Sequence, residues 1–195
     1  MDNHKLMIRM AEMKDAEEIL KIYTPYVTDT AITFEYEVPS LEEFQCRMQN
    51  TMKMYPYLVA VYDGKIAGYC YVSQFKDRDA YDWSVETTVY VSRELKGRGL
   101  GRKLYEKLEE VLKLQHILNV NACIAYPHPE SIAFHEKMGY ETVAHFHKCG
   151  YKLGIWYDMV WMEKMLGGHM GSPKPVIPIG QVDVEKINSV LSADM

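Results

Sequence analysis

A glycine-rich, basic turn is the first feature of the sequence that could do chemistry. Residues 93–103 contain five cations and three glycines, after a stretch typical of a strand and before one typical of a helix. Glycines at alternate positions let backbone N–H groups converge on an anion, and a helix N-terminus adds further donors. The sequence matches neither the P-loop nor the dinucleotide-binding fingerprint, because both require a glycine five residues after Gly97 and Arg102 occupies that position. The turn therefore predicts a pyrophosphate site, and the alternative is a solvated connection from strand to helix.

Glu86 is the second such feature, because it is a carboxylate inside the otherwise apolar run of residues 85–91. Burying a carboxylate costs free energy unless it is paired or hydrated, and burial raises its pKa. A carboxylate whose pKa is raised can act as a general base at neutral pH. The alternative is a glutamate on an edge strand that faces solvent.

The histidines and cysteines give weaker signals. His135 alone is typical of a surface or core histidine, and His145 and His147, two apart on a strand, are more typical of a structural or solvated pair than of a metal site. The cysteines, which lack metal-site spacing, are Cys46, Cys70, Cys123 and Cys149. We predict reduced thiols packed as small apolar side chains, and no bound metal.

Hydrophobic periodicity and turn residues predict the elements that position these groups. They are a strand at 6–10, a helix from Asp15 that Pro25 disturbs, a helix from Ser40, strands at 57–62, 66–75 and 81–91, a helix at 100–115, a strand at 120–125, a helix at 129–137, and strands at 140–147 and 156–162. This order is typical of an α+β fold with a mixed central β-sheet flanked by helices. We predict one domain at 5–166 and a Pro-containing C-terminal tail at 167–195, an extended arm that ends in a short polar helix near 184–191.

Composition limits the function. The 195 residues are 48% hydrophobic, enough for one soluble domain with a sizeable core, and 22 Lys and Arg against 27 Asp and Glu give a net charge of -5. That sign argues against general binding to nucleic acid or to an anionic membrane. With neither a leader pattern nor an apolar run of membrane-spanning length, the expected compartment is the cytoplasm.

Longer stretches of the sequence resemble a known family. Residues 96–101 read KGRGLG after a predicted strand, and other stretches read YPYLVA at 55–60, AYDWSVETTVYV at 80–91, SIAFHEKMGY at 131–140 and GYKLGIWYD at 150–158. The first resembles the acetyl-CoA pyrophosphate motif, Gln/Arg-x-x-Gly-x-Gly/Ala, of the GNAT superfamily of N-acetyltransferases. The others resemble its phosphinothricin and methionine sulfone/sulfoximine N-acetyltransferase branch. The resemblance extends over about residues 5–166.

The resemblance implies roles for particular residues. Glu86 would be the general base, and His135 would orient or protonate groups near the sulfur of CoA. Acetyl-CoA would contact Val89, Tyr90, Val91, Lys96, Gly97, Arg98, Gly99, Leu100, Gly101, Arg102, His128 and Ser131. His128 departs from the family, which usually has Asn there to hydrogen-bond the pantetheine, although His also offers one donor.

The resemblance also implies a small amine acceptor and a homodimer. The acceptor would contact Phe34, Lys76, Arg78, Tyr81, Trp83 and Val85. A cation such as Lys76 or Arg78 could hold a carboxylate, and the Tyr81 and Trp83 rings would either form a wall of the pocket or pack in the core. Other acceptors consistent with the fold are a protein N-terminus, a polyamine or an antibiotic amine, and a non-catalytic acyl-CoA-binding module is the alternative outside enzymes.

Overall fold

A computed structural model describes residues 6–193 of the chain, so Lys5, the first residue of the predicted domain, lies outside the described residues. Within that range the strands are β1 (Leu6–Met10), β2 (Tyr57–Tyr62), β3 (Lys65–Gln74), β4 (Ser84–Val91), β5 (Asn119–Tyr126), β6 (Glu141–Lys152) and β7 (Ile155–Met165). The helices over the same range are α1 (Ala16–Asp29), α2 (Leu41–Met52), α3 (Leu100–Leu114), α4 (Pro129–Lys137) and α5 (Val184–Ser192).

The strands form one mixed sheet in the order β1-β2-β3-β4-β5-β7-β6. Neighbouring strands are antiparallel except β4 and β5, which are parallel. Because successive side chains of a strand point to opposite faces, the sheet buries both faces against helices. The predicted α+β fold with a mixed central sheet is confirmed.

Two apolar clusters lie on the two faces of the sheet. Leu104 and Leu108 of α3 pack against strand residues such as Val85 on one face. On the other face, Ile19 of α1 and Phe44 of α2 pack around the β2 and β3 tyrosines. Burying one such side chain stabilises the fold by roughly 1.5–3 kcal/mol, so these clusters hold the sheet between its helices.

Helix α1 continues past Pro25, where the sequence predicted a disturbance. Proline removes one backbone donor, but Tyr26 and Val27 beyond it are buried in the cluster with Ile19. Burial of these two side chains outweighs the lost hydrogen bond, and the helix ends at Asp29.

The bounds of three strands also differ clearly from the prediction. Strand β4 begins at Ser84 rather than at residue 81, because a short 3₁₀ turn occupies Asp79–Tyr81. Strands β6 and β7 are longer than predicted, because Leu153 and Gly154 adopt positive φ angles and close a tight hairpin between them.

The segment after residue 166 packs onto the domain. The predicted short helix is present as α5, but it is amphipathic rather than polar, since Ile187 and Leu191 are buried in the same cluster as α3. The buried Gln115 amide donates to the carbonyl oxygens of Met54 (2.7 Å) and Ile177 (2.8 Å). These contacts attach the arm to the core.

The cysteine prediction is correct only in part. All four cysteines are unpaired, and Cys70 is buried as predicted. Cys46, Cys123 and Cys149 are exposed, so the prediction of packed thiols is wrong for them. Among residues 6–193, no helix has the length and apolar content needed to span a membrane.

Candidate active site

The central feature of the site is a fork between β4 and β5. The two strands pair only where Ser84, Val85 and Glu86 lie beside residues 119–121. Beyond Glu86 the two strands no longer pair with each other, although β4 remains paired with β3 as far as Val91 and β5 with β7 as far as Tyr126. A gap therefore opens in the middle of the sheet, with Glu86 in the last pair before it.

Side chains hold the two strands together at the fork. The Asn121 amide donates to Ser84 Oγ (2.9 Å) and to the Val85 carbonyl (3.1 Å), and the Thr87 hydroxyl donates to the Asn121 carbonyl (3.0 Å). All three hydrogen bonds are at least partly shielded from water. Loss of any one of them would therefore leave a buried polar group unsatisfied, at a cost of about 1–3 kcal/mol.

A groove of about 610 Å³ opens at the end of β4, and we call it the glycine-turn groove. Residues of the sequence prediction that line it are Val89, Val91, Lys96, Gly97, Gly99, Leu100, Gly101, Arg102, His128 and Ser131. Gly97 and Gly99 have φ angles of +77° and +76°, and a Cβ added at either would meet no atom within 4 Å. Gly99 caps α3 without a side-chain hydrogen bond, which leaves the first N–H groups of the helix for another acceptor. This cradle of open backbone donors fits the pyrophosphate of acetyl-CoA.

The turn cations are not equally placed around the groove. Lys96 and Arg102 line it, whereas Arg98 is not among the lining residues. The Arg98 guanidinium donates to the Tyr62 hydroxyl (3.0 Å) and stacks 5.6 Å from the centre of that ring. Arg102 pairs with Glu106 at 2.7 Å, an exposed pair of the kind that contributes at most about 1 kcal/mol.

His128 occupies the N-cap of α4. Its Nδ1 accepts a hydrogen bond from the Ser131 backbone N–H (3.0 Å), so a neutral His128 ring carries its proton on Nε2. That proton is available to a carbonyl in the glycine-turn groove. The geometry therefore fits the predicted donor role of the residue that replaces Asn.

A second cavity, of about 240 Å³, continues from this groove, and the two share Ile32, Val89, His128 and Ser131. The other predicted residues in its wall are Phe34, Glu86, Tyr90 and His135, and we call it the Glu86 cavity. Removal from water raises the pKa of Glu86, and the Lys76 ammonium opposes that shift in part. The carboxyl group thus shows the raised pKa that the sequence predicts.

His135 is 4% exposed and forms one end of a hydrogen-bonded chain. Its Nδ1 donates to the Ser131 carbonyl (2.8 Å), and its Nε2 lies 3.4 Å from the Tyr105 hydroxyl. The Tyr105 hydroxyl is in turn 3.1 Å from the Thr87 hydroxyl at the fork. Burial lowers the pKa of His135 and raises that of Tyr105, so at neutral pH the imidazole is uncharged and the phenol keeps its proton.

Sequence reasoning missed Tyr105 and Cys123, which also line the Glu86 cavity. Tyr105 lies on the apolar face of α3, where its spacing is typical of a core residue. Cys123 lies between Ala122 and Ile124 on β5, and all three residues line the cavity, but Ala122 and Ile124 are buried in the core whereas Cys123 is exposed. Although the residue is exposed at the cavity wall, partial removal of its thiol from water, together with the nearby Glu86 carboxylate, raises the pKa of Cys123 to about 12, so the thiol stays protonated and is a weak nucleophile at neutral pH.

Phe34 is held in the cavity wall by two features of β6. Lys152, only 2% exposed, donates to the carbonyl oxygens of Val27 and Thr33, both at 2.7 Å. The Phe34 ring lies so close to Gly150 that a Cβ there would come within 2.6 Å of it. The loop after α1 is therefore fixed against the hairpin.

The remaining predicted residues divide between a third cavity, the core and solvent. A cavity of about 680 Å³, the aromatic cavity, is lined by Phe75, Lys76, Tyr81, Trp83, Ser84, Asn121, Trp161 and others. Ser84 and Glu86 are two residues apart on β4, so their side chains lie on the same face of the sheet. The aromatic cavity, which Ser84 lines, therefore lies on the Glu86 face. Arg78 is exposed on the loop beside it and does not line it, and Val85 is fully buried in the core on the opposite face.

The fold and the glycine-turn groove define the class of protein, an acetyl-CoA-dependent N-acetyltransferase. The family model described as acetyltransferase (GNAT) domain matches residues 8–161. The chain belongs to the GNAT family of acetyltransferases.

Individual relatives cover most of the chain. It is 33% identical over 175 residues to a phosphinothricin N-acetyltransferase from Streptomyces viridochromogenes, covering 90% of this chain and 95% of that protein. It is 29% identical to the L-methionine sulfoximine/L-methionine sulfone acetyltransferase of Salmonella typhimurium, covering 84% of this chain and 96% of that protein. A phosphinothricin acetyltransferase from Sinorhizobium meliloti, solved in complex with acetyl-CoA, superposes with a TM-score of 0.85 at 32% identity, covering 91% of this chain and 97% of that one.

The two functions of His128 can be separated by substitution. His128→Ala removes the cap of α4 and the Nε2 donor, so we expect a loss of about 1 kcal/mol in the free energy of unfolding and a raised Kd for acetyl-CoA. His128→Asn keeps a capping oxygen and a donor, and both quantities should stay near the wild-type values. Urea denaturation and calorimetric titration measure the two. An Ala variant that binds acetyl-CoA like the wild type would remove His128 from the groove contacts.

Proposed function

We propose that the protein transfers the acetyl group of acetyl-CoA to the amino group of a small amino-acid-like acceptor, of the phosphinothricin or methionine sulfone or sulfoximine type. The observation that carries this proposal is the position of Glu86. Its carboxyl group lines a cavity continuous with the glycine-turn groove and lies on the sheet face that also bears the aromatic cavity. The named activities of the relatives support the same acceptor class.

In the proposed reaction Glu86 is the general base. The acceptor amine arrives largely protonated at neutral pH and must lose a proton before it can attack. The ionised Glu86 takes this proton, directly or through one water, and a raised pKa makes it a better acceptor. The amine nitrogen then bonds to the acetyl carbon, and the bond from that carbon to sulfur breaks.

Two other groups complete the proposed chemistry. A backbone N–H near Val89, which lines both the groove and the Glu86 cavity, stabilises the oxyanion that forms on the acetyl oxygen. The thiolate of CoA needs a proton when it leaves. A neutral His135 whose Nδ1 donates to Ser131 can only accept at Nε2. The proposed role of His135 is therefore to orient the Tyr105 hydroxyl, which lines the same cavity and is the proposed proton donor.

Direct transfer is favoured over an acetyl-enzyme intermediate. Cys123 is the thiol in the wall of the Glu86 cavity, and its pKa of about 12 leaves very little thiolate at neutral pH. Attack by the amine needs no such thiolate. The proposed sequence therefore runs through a ternary complex.

Charge and shape around the aromatic cavity support a carboxylate-bearing acceptor. Lys76 lines the cavity, and Arg78 is exposed on the same loop, so each offers a cation to a carboxylate. The Tyr81 and Trp83 rings form a wall for an uncharged side chain. A polyamine would instead bring positive charge against Lys76.

A panel of amines tests the acceptor class, with CoA release as the readout. Methionine sulfone, methionine sulfoximine and phosphinothricin should show kcat/KM values at least about tenfold above those of spermidine and of methionine sulfone amide. Spermidine and methionine sulfone amide have no carboxylate, so each would lose a charge-assisted hydrogen bond to the loop cations, and one such bond accounts for a ratio of about tenfold. Faster turnover of spermidine, or of a peptide with a free N-terminus, would assign another acceptor. Acetyl-CoA binding without turnover of any amine would indicate a non-catalytic binding module.

Glu86→Gln tests the proposed base. The variant should bind acetyl-CoA normally while kcat falls by roughly 10²–10⁴-fold, the usual contribution of a general base. In the wild type, kcat/KM should fall as the pH drops through the raised pKa of Glu86, because protonation removes the base. Glu42→Gln, which changes an exposed glutamate of α2, should leave both quantities unchanged. A wild-type pH profile in the Gln variant would remove Glu86 from the mechanism.

We also propose that the protein works as a homodimer in the cytoplasm. The tip of the β6–β7 hairpin exposes large apolar side chains, among them Leu153, Ile155 and Trp156, the last 59% exposed. Contiguous apolar surface of this kind is typical of an interface. Unpaired cysteines are typical of a reducing compartment, which cell fractionation would check.

Sedimentation velocity tests the dimer. The wild type should sediment with twice the protomer mass, and Trp156→Glu should shift it toward one protomer, because a buried unpaired carboxylate is costly. Leu41→Glu, at a partly exposed position of α2, is the control. A single protomer mass for the wild type at all concentrations would exclude the homodimer.

A further inference from the structure

Three side chains that can ligate a metal converge on the β6–β7 hairpin, outside the site described above. His145 Nε2 lies 2.9 Å from Asp158 Oδ2, and His147 Nδ1 lies 3.1 Å from the same oxygen. The three ligand atoms all lie within 4.8 Å of one another. We call these three residues the His–Asp cluster.

An irregularity in β6 brings the two imidazoles together. The register between β6 and β7 shifts between Phe146 and Gly150, and Lys148 adopts a φ of +47°. Such a bulge bends a strand and re-aims its side chains. As a result the His145 and His147 rings lie 4.5 Å apart, on the same side as Asp158.

The carboxylate of the cluster is anchored from behind. Asp158 Oδ1 accepts a hydrogen bond from the Lys148 backbone N–H (2.8 Å), which leaves Oδ2 directed at the two rings. An outer hydrogen bond of this kind is what fixes the orientation of metal-ligating groups.

We propose that His145 Nε2, His147 Nδ1 and Asp158 Oδ2 bind one divalent first-row transition-metal ion of the Zn²⁺ type, with water in the remaining position. Two imidazole nitrogens and one carboxylate oxygen form a ligand set that suits zinc and its neighbours rather than Mg²⁺. On binding, the ion takes the place of the proton that each neutral ring directs at Asp158, and the single proton of each ring moves to its other nitrogen.

The dimensions of the cluster suit such an ion. Bonds of about 2.0–2.1 Å in tetrahedral geometry place ligand atoms about 3.3 Å apart. The observed 2.9 and 3.1 Å contacts with Asp158 therefore need to open by only a few tenths of an ångström, and the two histidine nitrogens, within 4.8 Å of each other, need to close by at most about 1.5 Å. The His147 side chain is 77% exposed, so its ring can move and an ion can reach the cluster from solvent. The Tyr126 ring, 4.7 Å from that of His145, forms one wall.

Binding there would link β6 to β7 and stabilise the folded state by mass action. It involves none of the residues that line the glycine-turn groove or the Glu86 cavity. The proposal is therefore independent of the acceptor and of the assignment of the base.

Titration of the full chain, freed of metal with a chelator, tests the proposal. Calorimetry should give one Zn²⁺ per protomer, and Mg²⁺ should give no binding. Co²⁺ should produce the visible absorption of a four-coordinate ion. The Tm should rise with Zn²⁺ concentration.

Variants locate the ion. His147→Gln changes an exposed side chain and should fold normally, while the Kd for Zn²⁺ rises at least about tenfold, since even an outer partner of a ligand is worth that much. Asp158→Asn should have the same effect on the Kd. The control is His116→Asn, which keeps a donor for the Pro175 carbonyl at a left-handed position that Asn tolerates, and it should bind Zn²⁺ like the wild type. Equal Zn²⁺ affinity in the wild type and in His147→Gln, or no Co²⁺ absorption in the wild type, would overturn the proposal.

Discussion

The fork between β4 and β5 is the constraint on which the rest of the site depends. A parallel pair would normally continue its ladder, but here it stops after Glu86 and Asn121. At that point the side chains of Asn121 and Thr87 supply hydrogen bonds that tie the strands together. Beyond the fork, the edges of β4 and β5 that face each other have no partner strand, which would be costly in a buried sheet unless a ligand takes its place. The fold thus forms a gap that suits an extended ligand carrying amides of its own.

Strand alternation around the fork separates two chemical tasks. Glu86 faces the side with the aromatic cavity, while Thr87 faces α3 and joins the hydrogen-bonded chain through Tyr105 to His135. In the proposed reaction, one face of β4 therefore removes a proton from the acceptor, and the other supplies one to the leaving sulfur. Adjacent residues of a single strand serve the two steps, Glu86 directly and Thr87 through its hydrogen bond with Tyr105 of α3, because a strand directs consecutive side chains to opposite faces.

Local sequence patterns predicted those features of the site that depend on neighbouring residues. The glycine spacing at 97–101 predicted the cradle, and the apolar run around Glu86 predicted a carboxyl group with a raised pKa. Features that depend on distant segments could not be predicted this way. The Lys152 ammonium contacts carbonyl oxygens more than one hundred residues earlier in the chain, and only the fold turns Cys123 toward Glu86. The same limit explains the helix that continues past Pro25, since burial of Tyr26 and Val27 is a tertiary effect.

The distribution of charge explains how an acidic protein can present a site for an anion. Net charge acts through a field that salt screens within about 8–10 Å, whereas a ligand in the glycine-turn groove is in direct contact with Lys96 and Arg102. Arg102 is paired with Glu106, but that pair is exposed and contributes at most about 1 kcal/mol. A phosphate in the groove can pair with Arg102 and also accept hydrogen bonds from the backbone N–H groups of Gly97 to Gly101. The Glu106 carboxylate lacks these additional bonds, so the phosphate is bound more strongly by the helix N-terminus and the glycine turn together. The exposed carboxylate therefore keeps the cation in place without preventing it from binding the anion.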